Sequence, residues 1–316
     1  MLPLSVLSEA VIRGNPERGR FAPSPTGELH LGNARTALLS WLWARKEGGG
    51  FALRVEDIDT PRVRPGMAER QLDELRWLGL DWDGPPVFQS DRLPRYEDTL
   101  RRLSEHIYEC FCSRTEIAAA SAPQGDEGPR YPGTCADLTH AQREERRRTR
   151  APSLRLRVPP GTVGFRDEIL GEQAFDTQQL VGDFVLRRGD GVFAYQLAVV
   201  VDDGEMGITQ VLRGADLMAS TARQILLHRL LGQPEPRWAH APLVLAESGE
   251  RLSKRDRSLS LSALRARGVD PRQVVAHLAR LSELPAPDRC SPIELVGGFA
   301  LSKVGQEPVA IGPLPY

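Results

Sequence analysis

RFAPSPTGELHLGN, residues 20–33, reads as the end of a strand, a proline- and glycine-rich turn and the first turn of a helix. Arg20 to Ser24 supplies the strand end and Pro23 to Gly27 the turn, after which Leu31, Ala34, Leu38, Leu39 and Leu42 recur at helical spacing. Gly48, Gly49 and Gly50 stop that helix, and Phe51 to Val55 is a β-rich run that ends in Glu56-Asp57-Ile58-Asp59. The product is a βαβ unit with polar groups at its strand ends, the seed of a parallel sheet covered by helices.

Working outward, helical patterns return over 68–78 and 95–108. The stretch from Cys110 to about Arg150 is irregular, carries three of the 4 cysteines and reads as an insertion. Strand-like segments resume over 154–158, 184–187 and 192–201, followed by a helix over 217–231 and a strand over 243–246, which fits the second half of the sheet. Two short helical patterns follow Leu261, the second over 271–281, and the proline- and glycine-rich tail from Pro285 is expected to be loosely ordered. The expected class is α/β, a Rossmann-like parallel sheet. Its parts are a leader (1–19), a first half (20–108), an insertion (109–182), a second half (183–247) and a loop with a short helical C-terminal segment (248–316).

With 316 residues, 41% of them hydrophobic, the chain can bury a full core. Lys plus Arg (41) nearly cancels Asp plus Glu (42), so any contact with nucleic acid must come from a local patch. The run Arg143, Arg146, Arg147, Arg148 and Arg150 is one such patch, but Glu144 and Glu145 interleave with it as on a solvated helix face. Met1 to Val6 is broken by Pro3 and Ser5 and lacks a basic head, so it is no signal peptide, and no window approaches a membrane span. The expectation is a cytoplasmic monomer that engages no membrane.

His30, Gly32 and Asn33 stand where a helix N-terminus offers backbone N–H groups and a positive dipole end to a phosphate, and Gly32 lets a nucleotide lie close. Far downstream, Arg251-Leu252-Ser253-Lys254-Arg255 offers a cationic loop in which Lys254 can neutralise departing pyrophosphate. Alone, a histidine at a helix start is ordinarily a cap, and Ser-Lys-Arg is ordinarily a solvated loop. Paired on one βαβ frame, they read as an ATP site.

At this point a resemblance enters. RFAPSPTGELHLGN resembles the first signature of the glutamyl-type class I aminoacyl-tRNA synthetases, and RLSKR resembles the second. FALRVEDID (51–59) and AYQLAVVVDDGEMGITQVLRGADL (194–217) resemble internal blocks, so the likeness runs from about Arg20 to about Arg265. Leu31 and Asn33 depart from the generic HIGH tetrad, and Arg251, Leu252 and Arg255 from KMSKS. The resemblance implies ATP with Mg²⁺, with His30, Gly32, Asn33, Ser253 and Lys254 at the nucleotide and His30 and Lys254 acting in activation. It implies L-glutamate held by Arg20, Phe21, Ala22, Pro23, Ser24 and Glu56 on one side and by Tyr195 and Arg213 on the other. Guanidinium forks suit a carboxylate side chain, and a carboxylate suits the α-amino group. Without the family blocks, Arg213 reads as a structural ion pair with Asp216, Asp202 or Asp203, and Glu56 as a solvated strand end.

Cys110-x-Cys112 and Tyr131-x-x-x-Cys135 place three thiols and a phenol in a segment too short for its own core. Three thiolates suit a structural Zn²⁺, one per chain, with a fourth ligand to complete the tetrahedron; Tyr131 is an unusual one on general grounds, and His140 or a water is a substitute. The resemblance selects Tyr131; the plain alternative is unmetallated cysteines. Cys290 reads as a free thiol. The short segment after Arg255 leaves no room for the family's anticodon-binding domain. It resembles instead the branch that esterifies the queuosine base at the wobble position of tRNA(Asp), with activation independent of tRNA. Two alternatives stand beside this: a shortened enzyme charging the tRNA 3′ end, and a non-catalytic zinc-containing RNA-binding module.

Overall fold

The computed structural model describes residues 17–120, 130–246, 249–250 and 259–311, so Ser253, Lys254 and the rest of the RLSKR run lie outside the described residues. Strand β1 (Arg18–Phe21), helix α1 (Leu31–Lys46) and strand β2 (Gly50–Val55) form the expected βαβ unit. Helix α2 (Met67–Trp77), strand β3 (Val87–Phe88) and helix α3 (Leu93–Arg102) complete the first half. Strand β4 (Ile107–Cys110) leads into helices α4 (Arg114–Ala120) and α5 (His140–Arg147), followed by strands β5 (Ser153–Leu156), β6 (Thr162–Asp167), β7 (Gly171–Asp176) and β8 (Val185–Arg187). Helix α6 (Tyr195–Glu205), strand β9 (Gln210–Gly214), helix α7 (Met218–Leu231) and strands β10 (Arg237–Ala241) and β11 (Val244–Leu245) form the second half. Helices α8 (Leu261–Ala266), α9 (Pro271–Arg280) and α10 (Pro292–Val296) and strand β12 (Val309–Ala310) close the described chain.

The main sheet runs β3-β2-β1-β9-β10-β6-β7, parallel except for the β6–β7 hairpin. From β1 the chain crosses through α1 to β2 on one side, and from β9 through α7 to β10 on the other. The two strands on which those directions part lie side by side, and a crevice opens beyond their carboxyl ends. Helix α1 is buried over most of its surface because it is covered on both sides: Leu31, Leu38, Leu39 and Leu42 share one core with Val274, Val275, Leu278, Leu295 and Phe299 of the C-terminal segment, and its buried Arg35 donates to Ser282 Oγ and Pro242 O. The other face of the sheet packs on Tyr96, Leu100, Val200, Ile225 and Leu226.

Five expectations need correction. The strand-like run over 192–201 is largely helix α6: Leu197 to Val201 are all buried, and an apolar run without alternation reads alike as buried strand or buried helix. The helical pattern over 95–108 ends at Arg102, and Tyr108 lies on β4. The segment from Cys110 to Arg150 is not wholly irregular, since it holds α4 and α5. The tail from Pro285 is packed: Cys290, Leu295, Phe299, Val304 and Ile311 are buried, and β12 pairs with β11. The runs over 154–158, 184–187 and 243–246 do not join the main sheet as expected: β5 and β8 form a separate antiparallel sheet with β4, β11 pairs with β12, and from the stretch read as an insertion residues 162–176 join the main sheet instead. Among the described residues no helix is long and apolar enough to cross a membrane.

Candidate active site

A cavity of about 620 Å³ fills the crevice beyond β1 and β9. Its walls bring together Arg20, Phe21, Ala22, Pro23, Ser24, His30, Gly32, Asn33, Glu56, Tyr195 and Arg213, every sequence-predicted substrate residue that is described. The turn between strand and helix is held from beneath by Gln71, which the sequence did not single out; its buried side-chain amide donates to the carbonyls of Ser24 (3.1 Å) and Gly27 (2.6 Å).

His30 is the N-cap of α1. Its Nδ1 accepts the backbone N–H groups of Gly32 (3.1 Å) and Asn33 (3.3 Å), while Asn33 Oδ1 accepts from His30 N at 3.3 Å. This changes the expected chemistry of the helix end, because two backbone donors are engaged by the ring. With Nδ1 accepting, the neutral imidazole carries its proton on Nε2, which becomes the donor at the helix terminus. Gly32 serves this cap: a Cβ there would lie 3.0 Å from His30 Cε1 and 3.1 Å from Nδ1. The chain that follows residues 251–258 returns to the same place. Leu261 N donates to Leu29 O at 2.8 Å, and the buried carboxylate of Glu74 accepts both Leu29 N–H and the Ser262 hydroxyl.

At the end of β1, Arg20 is buried and faces Asp203 through two contacts of 3.3 Å. Asp203 also accepts from Arg54 at 2.6 Å, and Arg54 reaches Glu56 at 3.2 Å. Burial would raise the Asp203 carboxyl, but Arg20 and Arg54 outweigh it and hold the group well below the carboxylate range. Burial keeps Glu56 above its ordinary value against the pull of Arg54 and Arg20, so an ammonium group placed beside it would favour its charged form. Sequence reasoning missed Arg54, whose place in the middle of an apolar strand was the available signal.

Arg213, at the end of β9, is buried without a carboxylate partner within salt-bridge distance among the described residues, so the ion pair with Asp216, Asp202 or Asp203 is absent there. Its Nε donates to His240 Nε2 (3.1 Å), Nη1 to Gln224 Oε1 (2.8 Å) and the Tyr195 hydroxyl (3.4 Å), and Nη2 to Thr221 Oγ1 (2.6 Å) and Leu217 O (3.3 Å). Desolvation lowers the Arg213 pKa and raises that of Tyr195, although arginine in protein keeps its proton. A buried guanidinium satisfied only by neutral groups is a seat for an anion.

The Sγ atoms of Cys110, Cys112 and Cys135 lie within 4.8 Å of one another, a group able to hold a metal ion. Cys112 Sγ is 3.6 Å from Cys135 Sγ and 3.7 Å from the Tyr131 hydroxyl. A tetrahedral zinc with ~2.3 Å bonds to sulfur separates two thiolates by about 3.8 Å, so the donors fit such an ion. His140 does not belong to the group: its side chain is 89% exposed and faces Glu144 on α5. The basic run is exposed, as on a solvated helix face, and also braces this region: Arg147 pairs with Glu109 and Glu144, Arg150 donates to Phe111 O, and Arg146 lies against Cys135 Sγ. A second cavity of about 870 Å³ shares Ser24, Glu56, Arg62 and Tyr195 with the first and extends to Cys112, Arg155 and Arg188.

The family of class I tRNA synthetases (E and Q), catalytic domain, matches residues 18–289. A glutamyl-Q tRNA(Asp) synthetase of Symbiobacterium thermophilum is 52% identical over 93% of this chain and 95% of its own length. One of Nocardia farcinica is 51% identical over 92% and 91%. Among solved structures, a glutamate-tRNA synthetase from Elizabethkingia anophelis superposes with a TM-score of 0.81 at 30% identity, over 94% of this chain and 68% of that one.

Proposed function

The chain belongs to the class I tRNA synthetases for glutamate and glutamine, and from that premise we propose that it activates L-glutamate with ATP and passes the glutamyl group to the queuosine base of tRNA(Asp). The observation that carries the amino-acid half is Arg213, a buried cation whose fork lies beside Tyr195 with no carboxylate partner among the described residues. Relatives named for the queuosine reaction match this chain over more than nine-tenths of their length, which supports the RNA half.

The glutamate side-chain carboxylate pairs with Arg213, and its α-ammonium group faces Glu56. An α-carboxylate oxygen attacks the α-phosphorus of Mg²⁺-bound ATP in line; the O–P bond forms, the bond to the bridging oxygen breaks, and pyrophosphate departs. His30 Nε2–H donates to a phosphate oxygen, the Lys254 ammonium neutralises the leaving group and the Ser253 hydroxyl donates to it; what supports this role for the run is that the described chain after it, at Leu261, donates to Leu29 O beside His30. A hydroxyl of the queuosine base then attacks the glutamyl carbonyl, and AMP leaves. The second cavity, where Arg62, Arg155 and Arg188 stand among Glu56, Asp59 and Asp190, is the approach this reading gives the anticodon loop. All substrates are those of the cytoplasm.

Exchange of pyrophosphate into ATP is expected with glutamate alone, without RNA, and digestion of the charged tRNA should release glutamate on a modified anticodon nucleoside. Exchange that requires tRNA, with glutamate on the terminal adenosine, would replace this reading by ordinary 3′-end charging. In the same reading, Cys110, Cys112, Tyr131 and Cys135 hold a structural zinc. Elemental analysis should give one zinc per chain. Cys112→Ser should lower that ratio and reduce the thermal midpoint by about 5 °C, roughly 2 kcal/mol for a domain of this size; metal-free protein of unchanged stability would end the zinc assignment.

A further inference from the structure

Behind Arg213 lies a buried pair that the activation chemistry does not use. His240 sits on β10 directly opposite Arg213 in the parallel register with β9, and Asp167 ends the neighbouring strand β6. Both side chains are fully buried, and His240 Nδ1 is 2.6 Å from Asp167 Oδ2. The other carboxylate oxygen, Oδ1, accepts the backbone N–H groups of Leu170 (2.8 Å), Ile169 (3.0 Å) and His240 (3.3 Å), so the carboxylate cannot turn over without losing them.

The ring's proton is then assigned by its neighbours. Arg213 Nε is a permanent donor, and it lies 3.1 Å from His240 Nε2, so Nε2 must accept. The neutral imidazole therefore carries its hydrogen on Nδ1 and donates it to Asp167. With Nε tied in this way and Thr221 and Gln224 on the terminal nitrogens, the guanidinium plane is fixed. Its two longest contacts, Nη1 to the Tyr195 hydroxyl at 3.4 Å and Nη2 to Leu217 O at 3.3 Å, involve residues of the cavity wall. These are one N–H from each terminal nitrogen, the pair that a carboxylate would take over in a fork-to-fork contact.

We propose that Asp167 and His240 are positioning residues for amino-acid recognition: Asp167 holds the imidazole in its Nδ1–H form, and the imidazole aims the Arg213 fork at the substrate carboxylate. This rests on the reading of Arg213 as the carboxylate site.

Asp167→Asn tests it at constant volume. The asparagine oxygen stays with the three backbone donors, so its NH₂ faces His240 Nδ1 and drives the ring proton to Nε2, against Arg213 Nε–H. The KM for glutamate should rise about 10–100-fold, the usual weight of an outer supporting contact, while the KM for ATP stays within twofold. His240→Gln keeps an acceptor but has no tautomer to reverse. In that background Asp167→Asn should add little, a non-additivity that simple loss of packing would not give. In ¹⁵N-histidine spectra of the wild-type protein the His240 proton should be on Nδ1, and in Asp167→Asn on Nε2. A wild-type proton on Nε2, or an unchanged glutamate KM in Asp167→Asn, overturns the proposal. Failure of the wild-type enzyme to form glutamyl-adenylate would instead remove the functional reading, and the spectra would still judge the tautomer.

Discussion

Arg213→Gln is expected to lower kcat/KM for glutamate about a thousandfold, or ~4 kcal/mol of transition-state binding, in pyrophosphate exchange. The size follows from burial. A carboxylate brought into the cavity without a cation keeps its desolvation cost and loses two charge-assisted hydrogen bonds. Activation of glutamine should suffer far less, so the preference for the acid shrinks. Stability is expected to move the other way. Arg213 is held by His240, Thr221, Gln224 and other neutral groups, with no described carboxylate in contact, and removing such a buried charge should leave the thermal midpoint unchanged or raise it. Equal losses for glutamate and glutamine would assign Arg213 to the scaffold.

The second large effect separates two duties of one ring. His30 caps α1 through Nδ1 and offers its proton through Nε2, so His30→Ala should lose both: about 1 kcal/mol of helix stability, and activation by two to three orders of magnitude. Asparagine is a good N-cap but has no donor at the Nε2 position. His30→Asn is therefore expected to melt within about a degree or two of the wild type, given the small differences among polar caps, while losing activation about a hundredfold or more. An asparagine variant that retained exchange activity would reduce His30 to its cap.

How much of this was legible beforehand depends on the kind of signal each residue carried. The first turn of the fold was readable because Pro23, Pro25, Gly27 and Gly32 leave the backbone few choices between strand and helix. The cavity residues were reached through family blocks, since Arg213 by itself gave no sign of whether it paired with Asp203 or stood apart. The structure gives Asp203 to Arg20 and Arg54, which leaves Arg213 without a carboxylate partner among the described residues. Strands β9 and β10 escaped notice because they carry Arg213 and His240 at buried positions, so their polarity resembled that of loops. Helix α6 was mistaken for a strand for the opposite reason, its uniform apolarity. Asp167 could not be found at all from sequence: its partner lies 73 positions away, and only the sheet order brings the two together.

The C-terminal helices bear on how the molecule may be dissected. Because α9 and α10 form the outer wall against which α1 is pressed, the helix that presents His30 owes its seat to side chains contributed more than two hundred positions later. Lys46 even donates to Gly297 O at 2.7 Å. A fragment cut after the sheet would bare the leucine-rich face of α1 to water, inviting aggregation where a ligand-binding rim should be. An autonomous unit therefore includes α9 and α10, and the nucleotide end of the enzyme is finished only once they have been synthesised.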